Sequence, residues 1–219
     1  MHRHSVILIG GGEHAWVVAD AVRSNHDKFE LIGFTDPKPD RATASLLRTP
    51  HLGSDDVLLR YPDALAVIAF GISRPISARR DAVGRLASIV GGWATVVHRD
   101  ARVAPDAVIG EGTVVLAGAV VQVGVRIGAH SIIEGTAFLG HGVSVGDYAM
   151  VAGGAVVGGG ASVGAGAFLG LGALIRDHCT VGADSFVGMG AIVVSDVASG
   201  TRVIARGIGI PGLATWKSS

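Results

Sequence analysis

The sequence predicts two successive domains of different fold class: an α/β Rossmann-like domain over residues 1–97, then a left-handed parallel β-helix of six-residue repeats over residues 98–200. Three observations support this prediction. An aliphatic residue returns at every sixth position, sixteen times from Val103 to Val193. A glycine turn separates an apolar run from a helical stretch near the N-terminus. Glycine contributes 34 of 219 residues without the period of three that marks collagen.

The N-terminal domain is predicted from apolar runs that alternate with helical spacing, which is typical of a parallel sheet with crossover helices. The predicted elements are a strand at 5–9, a helix at 13–22, strands at 29–34 and 64–70, and a helix at 75–90. In such a sheet the ligand site lies at the carboxyl ends of the strands.

The turn after the first strand contains Gly10, Gly12 and Ala15 in the spacing G-x-G-x-x-A, which is a weak signal by itself. Two interpretations stay open. The turn either connects strand and helix without a ligand, or its backbone holds a phosphate or sugar at the helix N-terminus. In the second case Asp36, which follows the second strand, would accept a hydroxyl. The domain is short for a dinucleotide fold, so no hydride cofactor is expected.

The six-residue repeat predicts three short strands per coil, and sixteen units make a little over five coils. The aliphatic first residue of each unit points inward and stacks on residues 18 positions away, while a small fifth residue fills the narrower part of the core. Each coil contacts only its neighbours, so the end coils need covers. Residues 201–219 leave the pattern and are predicted to cap the last coil, through the loop at 209–213 and Trp216.

Charge and cysteine usage exclude several function classes. Eighteen Lys and Arg balance eighteen Asp and Glu, so nothing indicates binding to nucleic acid or to an anionic membrane. The single cysteine forms no disulfide framework, and the histidines lack metal-ligand spacing, so no metal site is predicted. His130 and His178 are predicted to be solvated or to face other subunits. We expect a cytoplasmic protein without a membrane segment.

The whole chain resembles the sialic-acid O-acetyltransferase type family, which includes the bacterial nucleotide-activated amino-sugar N-acetyltransferases. The resemblance implies acetyl-CoA as acyl donor, a homotrimer, and an active site between two subunits. The segments that carry it are 10–14, 33–36, 69–71, 97–98, the six-residue repeats and 209–211.

The resemblance also implies roles for individual residues. His141 corresponds to the family's general base. The amino-sugar nucleotide is expected to contact Gly12, Glu13, His14, Asp36, Gly71 and Arg74, with the Arg74 guanidinium suited to a phosphate. Acetyl-CoA is expected to lie along Met150, Gly159, Leu171 and Met189.

His141 can also be interpreted from the repeat itself. As the third residue of its unit it faces outward, and its stacking neighbours are Val123 and Gly159. A glycine beside an imidazole leaves room for a ligand chain. An imidazole suits the removal of a proton from an attacking nitrogen near neutral pH.

The surroundings of His141 depart from the family pattern. Glycines flank it where an acidic residue is common, Glu134 replaces an asparagine, and Met150 replaces a second histidine. Three hypotheses follow: Glu134 supplies the missing carboxylate, the acceptor differs, or catalysis is lost. The predicted function is N-acetylation of a nucleotide-linked amino sugar. The alternatives are O-acetylation of a sugar such as sialic acid, and a trimeric scaffold or sugar-binding protein without turnover.

Overall fold

The computed structural model describes residues 3–71 and 77–205, and it confirms both predicted fold classes in the predicted order. The elements of the N-terminal domain are β1 His4–Ile9, α1 His14–Ser24, β2 Phe29–Thr35, α2 Arg41–Ser45, β3 His51–Gly53, a 3-10 helix Asp55–Arg60, β4 Leu65–Ile68 and α3 Ser77–Leu86. The parallel sheet has the strand order β3-β2-β1-β4. The short elements between β2 and β4 were not predicted, and α3 ends at Leu86, before the predicted position 90.

The alternating residues of β1 divide the core of this domain into two layers. Val6 and Leu8 pack on the side of α1, whereas Ile7 and Ile9 pack on the side of α3. The α1 layer includes Val114, which belongs to the β-helix. The two domains therefore share one apolar core, and the sheet is anchored directly on the first coils.

Up to residue 205, where the described part of the chain ends, the β-helix contains eighteen two-residue strands. They are β5 Val96–Val97, β6 Arg102–Val103, β7 Val108–Ile109, β8 Val114–Val115, β9 Val120–Val121, β10 Arg126–Ile127, β11 Ile132–Ile133, β12 Phe138–Leu139, β13 Ser144–Val145, β14 Met150–Val151, β15 Val156–Val157, β16 Ser162–Val163, β17 Phe168–Leu169, β18 Leu174–Ile175, β19 Thr180–Val181, β20 Phe186–Val187, β21 Ile192–Val193 and β22 Arg202–Val203.

Three parallel sheets form the faces of the β-helix. Up to β21, each face takes every third strand. Face 1 contains β5, β8, β11, β14, β17, β20 and β22. Face 2 contains β6, β9, β12, β15, β18 and β21, and face 3 contains β7, β10, β13, β16 and β19. Leu139 pairs with Val121 and Val157, which confirms the predicted stacking at 18 residues. The turns between faces are named corner 1–2 (as at 134–137), corner 2–3 (as at 140–143) and corner 3–1 (as at 146–149).

The end of the repeat differs from the sequence interpretation. Val181 bridges to Val197, and Val187 pairs with Val203, so the spacing across the last coil is sixteen residues instead of eighteen. Val197 was expected at a fifth position, but it packs against the core in the place of an inward first residue. The unit after Val193 is two residues shorter than the others. The predicted capping loop and Trp216 lie outside the described residues.

Within residues 3–71 and 77–205, no helix combines the length and apolarity needed to cross a bilayer.

Candidate active site

An open cavity of about 790 Å³ lies where the N-terminal sheet meets the β-helix. Its walls come from the turn between β1 and α1, the carboxyl ends of β2 and β4, and corner 1–2 of the β-helix. The lining residues are Gly10, Gly11, Gly12, Glu13, His14, Val17, Asp36, Lys38, Asp40, Thr43, Ala69, Phe70, Gly71, Leu116, Glu134, Gly135, Met150 and Gly153.

This cavity brings together most of the residues predicted to contact the sugar nucleotide. Those within it are Gly12, Glu13, His14, Asp36 and Gly71. Arg74 lies outside the described residues. From the β-helix, the cavity adds Glu134, which is predicted to act in catalysis, and Met150, which is predicted to contact acetyl-CoA.

The three glycines of the first turn have different surroundings. Gly10 has a φ of 105°, and a Cβ there would lie 3.0 Å from Cδ1 of Phe70. A Cβ on Gly11 would lie 2.5 Å from Cε2 of Phe34, but one on Gly12 would meet no atom within 4 Å. The first two glycines are therefore required by packing, whereas Gly12 leaves backbone open to the cavity.

Asp36 fixes this turn from the neighbouring strand. Its Oδ2 accepts the N–H of Gly11 at 3.0 Å, and its Oδ1 accepts the N–H of Lys38 at 2.9 Å. A carboxylate oxygen has more than one lone pair, so a ligand hydroxyl could still donate to Asp36. Its first task is nevertheless to hold the turn.

His14 and Glu134 meet across the boundary between the two domains. His14 Nδ1 lies 3.8 Å from Glu134 Oε1, and the two side chains are 14% and 21% exposed. Glu134 Oε2 accepts the N–H of Gly153 at 3.0 Å. Burial, followed by the charge of Arg79, lowers the pKa of His14 to about 4. His14 is therefore neutral near pH 7, and its buried Nε2 has no partner among the described residues.

His141 lies on corner 2–3 and is exposed. Its N–H donates to Gln122 Oε1 at 3.0 Å, and its carbonyl accepts the N–H of Gly160 at 2.8 Å. The imidazole lies over Gly159, where a Cβ would be only 2.4 Å from Cε1 of the ring. The stacking neighbour expected from the repeat is therefore the neighbour in space.

Within one chain, Glu134 and His141 occupy different corners. The partners of Glu134 are His14 and Gly153, and no ion pair joins Glu134 to His141 among the described residues. The hypothesis that Glu134 completes a pair with His141 therefore has no support within a single chain.

The residues predicted to line the acetyl-CoA path lie on different parts of the β-helix. Met150 is buried on face 1, and its Cε would lie 3.6 Å from a Cβ on Gly71. Leu171 and Met189 are exposed on corner 1–2, at 55% and 71%. Gly159 lies on corner 2–3 beneath His141. The two corners are opposite edges of face 2.

His130 is buried, so the prediction that it is solvated or faces another subunit was wrong. Its ring stacks on Tyr148 at 5.4 Å and meets the edge of Trp93 at 4.9 Å. Burial lowers its pKa. The nearby Arg79 is buried and donates to the carbonyl of Tyr148. This cluster joins α3 to the β-helix behind the cavity. His178, by contrast, is exposed.

Comparisons with known proteins give consistent matches. The family model for the PglD N-terminal domain matches residues 5–80. PerB from Caulobacter crescentus, in a crystal structure with CoA and GDP-perosamine, is 30% identical, with a TM-score of 0.81 over 92% of this chain and 94% of that one. The acetyltransferase domain of PglB from Neisseria gonorrhoeae is 26% identical, with a TM-score of 0.81 over 93% of this chain and 97% of that one. A comparison with curated protein sequences finds no match.

Proposed function

The chain belongs to the bacterial sugar acetyltransferases of the hexapeptide-repeat class and is therefore an acyltransferase. From this premise, we propose that it transfers an acetyl group from acetyl-CoA to the amino group of a nucleotide-linked sugar. One observation carries the proposal. The cavity joins the first turn of the N-terminal domain to the β-helix, in a chain that matches PerB, crystallised with CoA and GDP-perosamine, along nearly its whole length. We place the reaction in the cytoplasm, as the sequence predicts.

The nucleotide sugar is proposed to bind along the first turn. The side chain of Glu13, the N-cap residue of α1, makes no capping hydrogen bond, so backbone N–H groups there are suited to a diphosphate. Gly12 allows a ligand to approach this backbone closely. The sugar ring then extends past His14 and Gly71 towards Glu134, while Arg74 stays a predicted phosphate contact.

Acetyl-CoA is the proposed donor, because one structure similar to this chain is that of the PglB acetyltransferase domain from Neisseria gonorrhoeae in complex with acetyl-CoA. Leu171 and Met189 present an exposed apolar path along corner 1–2, which suits a pantetheine chain. Leu171 Cδ2 would lie 3.4 Å from a Cβ on Gly153, so the path leads towards the cavity.

We propose that a homotrimer completes the site. His141 and Gly159 lie at one edge of face 2, and the cavity lies at the other. A cyclic assembly in which these edges meet would bring His141 of one subunit to the cavity of the next. An apolar column on face 2 supports this arrangement, since Val156, Leu174 and Ile192 are exposed there at 37%, 42% and 65%.

In the proposed reaction, the sugar nitrogen attacks the thioester carbonyl. The C–N bond forms and the C–S bond breaks. His141 accepts a proton from the nitrogen as the bond forms, and the CoA sulfur receives a proton as it leaves. A hydroxyl acceptor would need a stronger base. Because no carboxylate is paired with His141 among the described residues, an amine acceptor is favoured over O-acetylation.

The test is release of CoA thiol with a panel of GDP-, UDP- and dTDP-linked amino sugars. We expect wild-type turnover with at least one of them, and a loss of about 10²–10⁴-fold for His141→Asn with an unchanged Tm. His178→Asn is the control, because this exposed histidine has no proposed role. Retention of more than about a tenth of the rate by His141→Asn would refute the base assignment. CoA binding without turnover on any acceptor would indicate a scaffold protein.

A further inference from the structure

Glu134 is a carboxylate held in place at the cavity wall. Oε2 accepts the N–H of Gly153 at 3.0 Å, which fixes the group on corner 1–2 and leaves Oε1 directed towards His14 at 3.8 Å. At this distance Oε1 and Nδ1 do not form a direct hydrogen bond. Oε1 therefore has capacity for a donor that enters the cavity.

His14 does not neutralise Glu134. Its pKa, lowered to about 4 by burial, keeps the imidazole uncharged near pH 7. A partly buried carboxylate without a counter-charge is costly, and a cationic ligand would offset that cost. The negative charge of Glu134 is thus available to a bound group.

The described charged residues that line the cavity, Glu134 included, are mostly acidic. Glu13, Asp36, Asp40 and Glu134 line it, against a single lysine, Lys38. This excess does not favour a ligand that is anionic throughout. It suits a ligand whose phosphates bind the backbone of the first turn and whose other end is positive or rich in N–H and O–H donors.

The surroundings of Glu134 leave space for such a group. Gly153 and Gly135 line the cavity beside it, and a Cβ on Gly153 would lie only 3.9 Å from Oε2. Opposite, Gly71 packs against the ring of His14, where a Cβ would lie 3.4 Å from Cγ. The absence of side chains at these glycines opens the wall next to the carboxylate.

We propose that Glu134 is the residue that selects an amine acceptor, by receiving a charge-assisted hydrogen bond from the ammonium group of the nucleotide-linked sugar. This inference rests on the proposed function and deepens it. The neutral amine, which is the attacking form, still donates an N–H to the same oxygen, so the nitrogen keeps its position until the acyl transfer. A hydroxyl acceptor gains less, because it brings no charge. Glu134 therefore acts on specificity, whereas His141 acts on proton removal.

The decisive variant is Glu134→Gln, which removes the charge and keeps an oxygen for the N–H of Gly153. Asp147→Asn is the matched control. Asp147 is exposed on corner 3–1, and its Oδ1 accepts the N–H of Ala129 at 2.8 Å, so it also loses one charge beside a backbone donor. Both variants are first compared with the wild type in thermal unfolding, where no large shift in Tm is expected.

The measurement uses the amino-sugar nucleotide that the wild type acetylates, and the analogue in which a hydroxyl replaces the amine. Calorimetry without acetyl-CoA gives the affinity for each compound. Glu134→Gln is expected to weaken amine binding by about 10- to 100-fold, the range of a hydrogen bond to a charged group, and to weaken hydroxyl binding by a smaller factor, because a hydroxyl brings no charge. In kinetics, KM for the amine rises and kcat changes far less.

The dependence of KM on pH distinguishes a role of Glu134 in binding the ammonium group from a purely structural role, which would leave this dependence unchanged. The wild type favours the ammonium form, so KM rises as the pH rises through the pKa of the amine. In Glu134→Gln this rise is lost. If the wild type acetylates an amine but Glu134→Gln keeps its preference for amine over hydroxyl, the inference is overturned and the proposed function stands. If the wild type acetylates none of the amino sugars, the proposed function itself is overturned.

Discussion

The substitution Gly159→Ala tests whether the His141 ring must occupy its observed position for catalysis. A Cβ at Gly159 would lie 2.4 Å from Cε1, 2.7 Å from Nε2 and 2.9 Å from Nδ1 of the imidazole. Ordinary contacts of a Cβ begin at 3.4 Å, so the ring must move by about 1 Å. A displacement of this size at a reacting group costs about 10²-fold in rate.

The same change is expected to leave the fold intact. Gly159 does not have a positive φ, and the equivalent positions in the adjacent coils carry the side chains of His141 and Asp177. The His141 ring is exposed, so it moves into solvent without leaving a cavity. We therefore expect Gly159→Ala to lower kcat by about 10²-fold with little change in Tm.

The assay is CoA thiol release with saturating acceptor and varied acetyl-CoA. Gly84→Ala is the control, because a Cβ there meets no atom within 4 Å. Gly159 is also a predicted acetyl-CoA contact, so a double variant separates the two effects. If the alanine acts through the ring, it has no further effect on kcat in His141→Asn. A kcat for Gly159→Ala within about threefold of the wild type, against the 10²-fold expected, would refute the reasoning.

Two further predictions concern assembly and acid stability. Leu174→Arg on face 2 should convert the trimer to smaller species, measured by light scattering, and should reduce activity. Thr180→Arg, at an exposed position on face 3, should change neither the mass nor the activity. An unchanged mass for Leu174→Arg would place the subunit contact elsewhere. The pKa of His14 is lowered from 6.5 to about 4 in the folded protein, so as the pH falls below 6.5 the unfolded chain binds a proton at His14 that the folded protein binds only near pH 4. The free energy of unfolding should therefore fall by about 3 kcal/mol between these pH values. Denaturant titrations should show a smaller fall in His14→Gln and the full fall in His178→Gln; equal falls in all three proteins would show that His14 is not protected from protonation.

The register of the β-helix could be predicted because a local period fixes which residues point inward. Leu139 and its neighbours at 18 residues pair as the period requires. The length of the last coil was predicted wrongly, because a valine such as Val197 suits both the fifth and the first position of a unit. The pairings of Val181 with Val197 and of Val187 with Val203 reveal that this coil is two residues shorter.

His130 and His178 show why burial could not be predicted from the repeat. Both have positive φ values, 53° and 57°, at equivalent places in their units. Trp93 and Tyr148 cover His130, but His178 stays exposed. Trp93 precedes the repeat and reaches His130 only because the N-terminal domain packs on the first coils.

The sequence by itself determined the period of the β-helix, the outward position of His141 over Gly159, and the glycine turn that opens the N-terminal domain. These features depend on residues close in the chain or separated by a constant interval. The tertiary structure decided that Glu134 meets His14 and not His141, and that the cavity and His141 lie at opposite edges of face 2. The physical reason is that these contacts depend on how two domains dock, through the apolar core they share, and no local pattern encodes that geometry.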